Sequence, residues 1–476
     1  MSTFVVIGGD AAGMSAASKA KRDDPGLDVV VFEAGEWVSY GACGLPYYIK
    51  GEIDSLEDLV SVTPERFREE RDIDLRTGYE VVDIDPDDRT VTARSENGET
   101  EEVIQSYDFL LLATGAAALT PPINGLGREG VYTLGSMTDG KELREYVSRA
   151  RSAGDLQQPD RGPACEFLET CNGPVGIVGG GYIGIEMAEA LAANDFEVHL
   201  FQRGERLLKG FGEATSEAVL EHLQERDVAI YLDSEVEEVA GDDRVAAVVT
   251  SENRVPVEMV LLGTGVRPRT DLATDAGVEC GETGAIATGA YRETNLPDVY
   301  AAGDCAEAEH VVTGDPVYVP LALTANRHGR AIGRTVAGEP TEGGGVAGTA
   351  AVKALDREAA RTGILDHEDA REAGFDPVTE TIDAKSRAGY YPEGGTVRVT
   401  LTADRASGRV LGGSLVSEYG EGAVHRSHAL VGAVTESITL EDLSNYDLAY
   451  APPFNTTWDP VLTAAKVLDG QLRSKS

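Results

Sequence analysis

Short apolar runs broken by glycine dominate the first two-thirds of the chain. Phe4–Ala20 reads FVVIGGDAAGMSAASKA, an apolar strand, a glycine-rich turn and a helix of small residues. Val175–Leu191, VGIVGGGYIGIEMAEAL, repeats that order. Each unit runs on into another strand, DVVVFEAGEW after the first and EVHLFQRGER after the second. Further along, FLLLATGAAA (109–118) matches MVLLGTGVRP (259–268). Two complete sets in the same order predict a duplicated strand–turn–helix fold. After the glycine-rich GEPTEGGGVAG (338–348) the pattern changes to alternation, TVRVTLTAD and VLGGSLVSE, which predicts an antiparallel sheet.

The glycines give the repeats a chemistry. In the second loop Gly179 suits the tight turn, Gly181 a close approach of backbone to a pyrophosphate, and Gly184 close helix-to-strand packing. The helix N-terminus adds partial positive charge. Gly8 and Gly13 fill the outer positions of the first loop, with Asp10 in the middle. Glu33 closes the following strand and is placed to accept ribose hydroxyls. At the corresponding end of the second unit stand Gln202 and Arg203, with Arg206 nearby. Loss of the carboxylate and gain of arginine lean that site toward NADPH over NADH. Two dinucleotide sites in one chain imply electron traffic between a nicotinamide and a flavin. DVYAAGDCAE (298–307) adds Gly303 and Asp304, whose carboxylate can bond a ribityl hydroxyl.

Composition sets the bounds. A length of 476 residues implies several domains. Asp+Glu 82 against Lys+Arg 41 gives a formal charge of -41, spread along the chain. Such diffuse acidity reads as a solvated surface suited to high salt, a halophilic trait, and argues against nucleic acid or an anionic membrane as partner. The N-terminus enters a strand directly, and no apolar run approaches membrane-spanning length. Five cysteines without metal-ligand spacing fit a reducing cytoplasm. His425 and His428 lack an evident third ligand, so no metal is expected.

Together GGDAAG, ATG, GGGYIG, GVRP and AAGD resemble the two-dinucleotide-binding flavoproteins of the pyridine nucleotide–disulfide oxidoreductases. The resemblance implies two Rossmann-like α/β domains, for FAD and NAD(P), and a C-terminal α+β dimerisation domain. It places the FAD domain at residues 1–119 and 285–345, the NAD(P) domain at 120–284 and the dimerisation domain at 346–476. It also implies cofactor contacts at Ala113, Thr114, Gly115 and Gly265.

One stretch distinguishes the branch. VSYGACGLPYYI (38–49) carries a single cysteine, Cys43, with Tyr48 five residues on where the dithiol reductases have a second cysteine. No histidine precedes a proline. WVSYGACGLPYYIKGEI, GVRPRTDLA, VPLALTANRHGRAIG, AGYYPEGG and LAYAPPFNTTWDP resemble coenzyme A disulfide reductases and their relatives, the persulfide reductases and single-cysteine NADH oxidases. A helix opening at Gly44, Leu45 and Pro46 is expected to favour a Cys43 thiolate. The oxidase relatives carry a histidine in the first loop, where this chain has Asp10, Ala11 and Ala12. Tyr390, Tyr391 and Tyr450 match the tyrosines of the coenzyme A-handling relatives, which act from the partner subunit of a homodimer.

The expected activity is reduction of coenzyme A disulfide by NADPH or NADH through FAD and a Cys43–S–S–CoA mixed disulfide. NADH oxidation, persulfide or polysulfide reduction, and an NADH-sensing scaffold are the alternatives. Ser39, Ala42, Lys21, Arg22, Arg68 and Arg71 are the expected substrate contacts. The relatives usually have asparagine where Ala42 stands. Cys165 and Cys171 lie in an apparent insertion, and Cys280 and Cys305 are expected to be inert.

Overall fold

The computed structural model describes residues 2–95, 102–155 and 172–475. The insertion carrying Cys165 and Cys171 lies outside the described residues.

Apolar runs form two five-stranded parallel sheets of the same design. In the first the order is Val299–Ala301, Phe109–Leu112, Thr3–Ile7, Asp28–Glu33 and Asp74–Thr77. In the second it is Val131–Tyr132, Met259–Leu262, Pro174–Val178, Glu197–Phe201 and Ala229–Tyr231. Each pairing places its glycine loop at the end of the central strand. There the order reverses and ligands of open α/β sheets bind. The duplication extends to a three-stranded antiparallel sheet in each half, Tyr79–Asp85, Thr90–Ser95 and Glu102–Ser106 in the first and Val236–Ala240, Ala247–Thr250 and Arg254–Pro256 in the second. Equivalent segments of the two halves also pair with each other, Ala116–Ala118 against Val266–Pro268.

Four helices position the site: α1 (Ala11–Asp23), α2 (Leu45–Lys50), α3 (Tyr182–Ala192) and α4 (Ala322–Val336). α1 lies against α4 so closely that a Cβ on Gly329 would meet the Ala12 carbonyl oxygen at 2.1 Å. Only glycine lets those backbones approach. α2 starts where Pro46 fixes φ without needing an N–H, and stops at Gly51, whose φ of 98° caps it on the Tyr47 and Tyr48 carbonyls. It buries Leu45, Tyr48 and Ile49 in a core cluster that also holds Met187 and Leu191 of α3 and Val352 of the C-terminal sheet. Each such side chain contributes roughly 2 kcal/mol by leaving water.

The alternating segments form the third unit, an antiparallel sheet in the order Ala350–Ala354, Arg357–Gly363, Val410–Glu418, Thr396–Asp404 and Pro377–Lys385. The Ala423–Thr435 and Pro460–Lys475 helices cover its apolar face. No described helix is long and apolar enough to cross a membrane.

Candidate active site

Both glycine loops are cradles that side chains would fill. Gly8 and Gly179 each have φ of 110°, and a Cβ would strike Ala113 O at 2.1 Å and Gly263 O at 2.3 Å. A Cβ on Gly13 or Gly184 would lie 1.9 Å from Gly8 O or Gly179 O. The middle position is different: a Cβ on Gly181 meets nothing within 4 Å. That open space explains why Asp10 is sterically tolerated at the equivalent place in the first loop.

The two strand ends close on their loops in the same way. Glu33 accepts from Gly9 N–H at 2.7 Å and Gly35 N–H at 2.8 Å. Gln202 Oε1 accepts from Gly180 N–H at 2.9 Å. Arg203 beyond it is exposed, whereas Arg206 pairs with Glu205 at 2.9 Å. Thr114 donates to Arg269 O at 2.6 Å, while Gly115, Gly265 and Gly303 turn with φ of 68°, 99° and 83°. Asp304 follows Gly303, and burial pushes its carboxyl up to about 6. These cradles and the acid at the strand end fit a flavin dinucleotide in the first half and a nicotinamide dinucleotide in the second.

Cys43 sits in a single 3-10 turn, Ala42–Gly44, directly ahead of α2. The residue is exposed at the surface, while its thiol is partly covered by protein. Burial, then Glu186, Asp304 and Asp10, push the thiol up. The expected thiolate-favouring effect of the α2 N-terminus is therefore outweighed, first by burial and then by the neighbouring carboxyls.

Its neighbours are held on both sides. Asp10 Oδ1 accepts from Tyr40 N–H at 3.1 Å, and Ser39 N–H donates to Gly9 O at 3.0 Å. Burial, despite that N–H, pushes Asp10 up to about 6. One helical turn past Cys43, the Tyr47 hydroxyl donates to Glu186 at 3.4 Å. Burial raises Glu186 to about 7. Tyr48 is buried beneath Arg144, whose guanidinium carbon lies 5.6 Å from its ring.

A pocket of about 390 Å³ runs along the outer face of α1. Asp10, Ala11, Ser39 and Tyr40 line it, as do Lys19, Arg22, Arg71 and Arg330. Of the expected substrate contacts, Ser39, Arg22 and Arg71 meet here. Lys21 does not: it pairs with Asp72 at 2.7 Å and donates to Leu27 O at 3.0 Å. Arg68 turns away too, to Leu75 O at 2.9 Å and Thr77 at 3.3 Å. Ala42 is exposed in the turn and is not part of the lining. Lys19 and Arg330 escaped sequence reasoning, although Ser15, Ser18, Lys19 and Arg22 recur at helical spacing on one face.

Tyr390 and Tyr450 stand on the surface of the C-terminal unit, their hydroxyls 3.2 Å apart. Tyr391, Phe454 and Trp458 are also exposed. The hydrogen bond between the two phenols raises Tyr390 and lowers Tyr450. Cys305 is fully buried and donates to Leu112 O and Ala302 O, each at 3.4 Å. Cys280 is half-buried. Among the described residues no three metal-ligating side chains converge.

Comparison with known proteins adds relatives to this geometry. Residues 2–329 match the family described as pyridine nucleotide-disulphide oxidoreductase, and 349–460 match its dimerisation domain. The chain is 39% identical over 466 residues to the NAD(P)H sulfur oxidoreductase (CoA-dependent) of Pyrococcus abyssi, covering 98% of each. It is 28% identical to the coenzyme A disulfide reductase of Staphylococcus haemolyticus, covering 97% of this chain and 98% of that protein. The NAD-dependent persulfide reductase from A. fulgidus superimposes with a TM-score of 0.91 at 33% identity, over 99% of this chain and 84% of that one.

Proposed function

Because the chain belongs to the pyridine nucleotide-disulphide oxidoreductase family, whose members depend on FAD and NAD(P)H, we propose that it reduces coenzyme A disulfide through Cys43. The carrying observation is the pocket beside α1. In a chain of net charge -41, four cations, Lys19, Arg22, Arg71 and Arg330, gather at one cavity. Such a cluster suits a nucleotide bearing several phosphates. The same cavity runs to Ser39 and Tyr40, within four residues of Cys43.

Bound FAD supplies an electron pair drawn as hydride from NAD(P)H. The protein's own part is to seat the coenzyme, hold the sulfur and move protons. The Cys43 thiolate attacks one sulfur of the disulfide, forming Cys43–S–S–CoA and expelling the first coenzyme A thiolate. Two electrons then cleave the mixed disulfide, restoring the Cys43 thiolate and releasing the second coenzyme A. Overall, NAD(P)H, one proton and the disulfide give NAD(P)+ and two thiols. Tyr450, whose hydroxyl is held by Tyr390, protonates a departing thiolate from the partner subunit of a homodimer, with Tyr391 beside them. Glu33, with Gly8, Gly13 and Asp304, holds the flavin nucleotide. Gly179, Gly181, Gly184, Gln202 and Arg203 hold the nicotinamide nucleotide, with a lean to NADPH from the exposed guanidinium.

Persulfide or sulfur reduction is the second reading, supported by the names of the Pyrococcus abyssi and A. fulgidus relatives. Steady-state turnover of the purified enzyme with coenzyme A disulfide, a coenzyme A persulfide and oxygen tests the assignment. The disulfide is expected to give the highest kcat/KM, and a higher value with either of the others overturns it.

A further inference from the structure

A symmetrical coenzyme A disulfide has two identical nucleotide arms, but the cavities on either side of the Cys43 segment are not alike. The pocket beside α1 reaches Ser39 and Tyr40, ahead of the cysteine, and gathers Lys19, Arg22, Arg71 and Arg330. A second cavity, of about 710 Å³, opens between α2, α3 and the C-terminal sheet. It reaches Tyr47, one helical turn past the cysteine, and its acidic side chains are Glu52, Glu186, Asp356 and Glu358.

The second cavity is poorly equipped to hold phosphate. Its lysine, Lys353, already bonds Glu189, and its other basic side chain is His425. Glu358 is buried and, among the described residues, accepts from Ser417 Oγ–H and Gly420 N–H, each at 3.3 Å, with no cation beside it. Glu186 accepts from the Tyr47 hydroxyl. Glu52 and Asp356 have cations of their own, Lys50 at 2.5 Å for the first and His222 with Arg226 for the second. The face that carries Tyr450 is no better supplied. Its arginines are taken, Arg387 by Glu421 at 2.9 Å and Arg426 by Asp459 at 3.2 Å, and Lys466 lies over the Trp458 ring.

We propose that the enzyme grips one nucleotide arm only, so that its substrate class extends to unsymmetrical disulfides of coenzyme A with a small second thiol, the coenzyme arm being the one kept on Cys43. This rests on the pocket beside α1 being the coenzyme site. The Cys43 thiolate attacks the coenzyme sulfur. Cys43–S–S–CoA forms as the bond to the second sulfur breaks, and the second thiolate leaves and takes a proton. Two electrons from NAD(P)H then cleave the enzyme-bound disulfide as in the symmetrical case. Overall, NAD(P)H, one proton and the unsymmetrical disulfide give NAD(P)+, coenzyme A and the second thiol. An arm that finds no partner adds no affinity, so specificity lies in the arm that the cations hold.

The test compares coenzyme A disulfide with the unsymmetrical disulfide of coenzyme A and mercaptoethanol, on the holoenzyme with Cys43 reduced. Both halves of the latter are primary alkyl thiols, so leaving-group strength does not choose between them. Its kcat/KM is expected to lie within about threefold of that for coenzyme A disulfide. Intact mass after one equivalent of it, without NADPH, is expected to show coenzyme A on Cys43 in at least about tenfold excess over mercaptoethanol. A kcat/KM lower by more than about threefold overturns the proposal, as does any smaller excess of the coenzyme adduct. Failure of the coenzyme reading shows separately: pantethine, which lacks the phosphates, then matches coenzyme A disulfide in kcat/KM, and both readings fall. If pantethine lags and the unsymmetrical disulfide lags with it, the one-arm rule alone fails.

Discussion

The Glu189 carboxylate of α3 accepts from the Lys50 ammonium of α2 at 2.7 Å, with the glutamate side chain only 3% exposed. Lys353 of the C-terminal sheet bonds the same oxygen, and Leu355 N–H reaches the other at 2.7 Å. One buried acid thus joins the helix behind Cys43, the helix of the second glycine loop and the third unit. Removing it takes the carboxylate from Lys353 and leaves Lys50 with only the more exposed Glu52, at 2.5 Å. Glu189→Ala is expected to destabilise by about 3 kcal/mol, and Lys50→Met by less because Lys353 still pairs. Thermal or urea unfolding of the holoenzyme measures both.

The phenol pair predicts a complementation experiment. Tyr450→Phe should lower kcat with coenzyme A disulfide by about 10- to 100-fold while Cys43 alkylation is unchanged. If the tyrosine serves the partner's cysteine, mixing Cys43→Ser with Tyr450→Phe subunits creates one intact site in each mixed dimer. Activity should then rise well above that of either variant alone. No gain on mixing means that tyrosine and cysteine act within one subunit.

Charge at the α1 pocket predicts a split between constants. On the proposed phosphate-binding role of this pocket, Arg22→Ala and Arg71→Ala should each raise KM for coenzyme A disulfide about 5- to 50-fold with little change in kcat. The effect should shrink as salt is added, because exposed ion pairs are screened. Lys21→Ala and Arg68→Ala, whose side chains point to Asp72 and Leu75, should leave KM near wild type.

Glu186 predicts a pH dependence of stability. Burial holds its folded pKa at about 7, above the ordinary value of 4.5. The folded state then binds the proton more tightly than the unfolded chain. Its contribution is complete below about pH 4.5 and is lost as pH rises through 7. Glu186→Gln should therefore be more stable than wild type by on the order of 1–2 kcal/mol at about pH 8, with the difference vanishing near about pH 4. Unfolding midpoints at the two pH values give the sign.

What the sequence made legible was local. Glycines required by φ of 110° at Gly8 and Gly179 mark both loops without any knowledge of the fold. The duplicated strand order and the family follow from motifs repeated in sequence. The pocket beside α1 was harder, since it is assembled across long separations: Asn326 and Arg330 of α4 reach it only because Gly329 lets α4 lie on α1. Even so, helical spacing groups Ser15, Ser18, Lys19 and Arg22 and leaves Lys21 off that face. The electrostatics of Cys43 were not legible, because Glu186 is supplied from 143 positions away in sequence.

Intact mass of the enzyme after exposure to coenzyme A disulfide tests the role of Cys43 most directly. A single coenzyme A adduct on Cys43, absent from Cys43→Ser and removed by NADPH, is the predicted result. An unmodified chain that still turns over the disulfide, or an adduct that persists in Cys43→Ser, would contradict it.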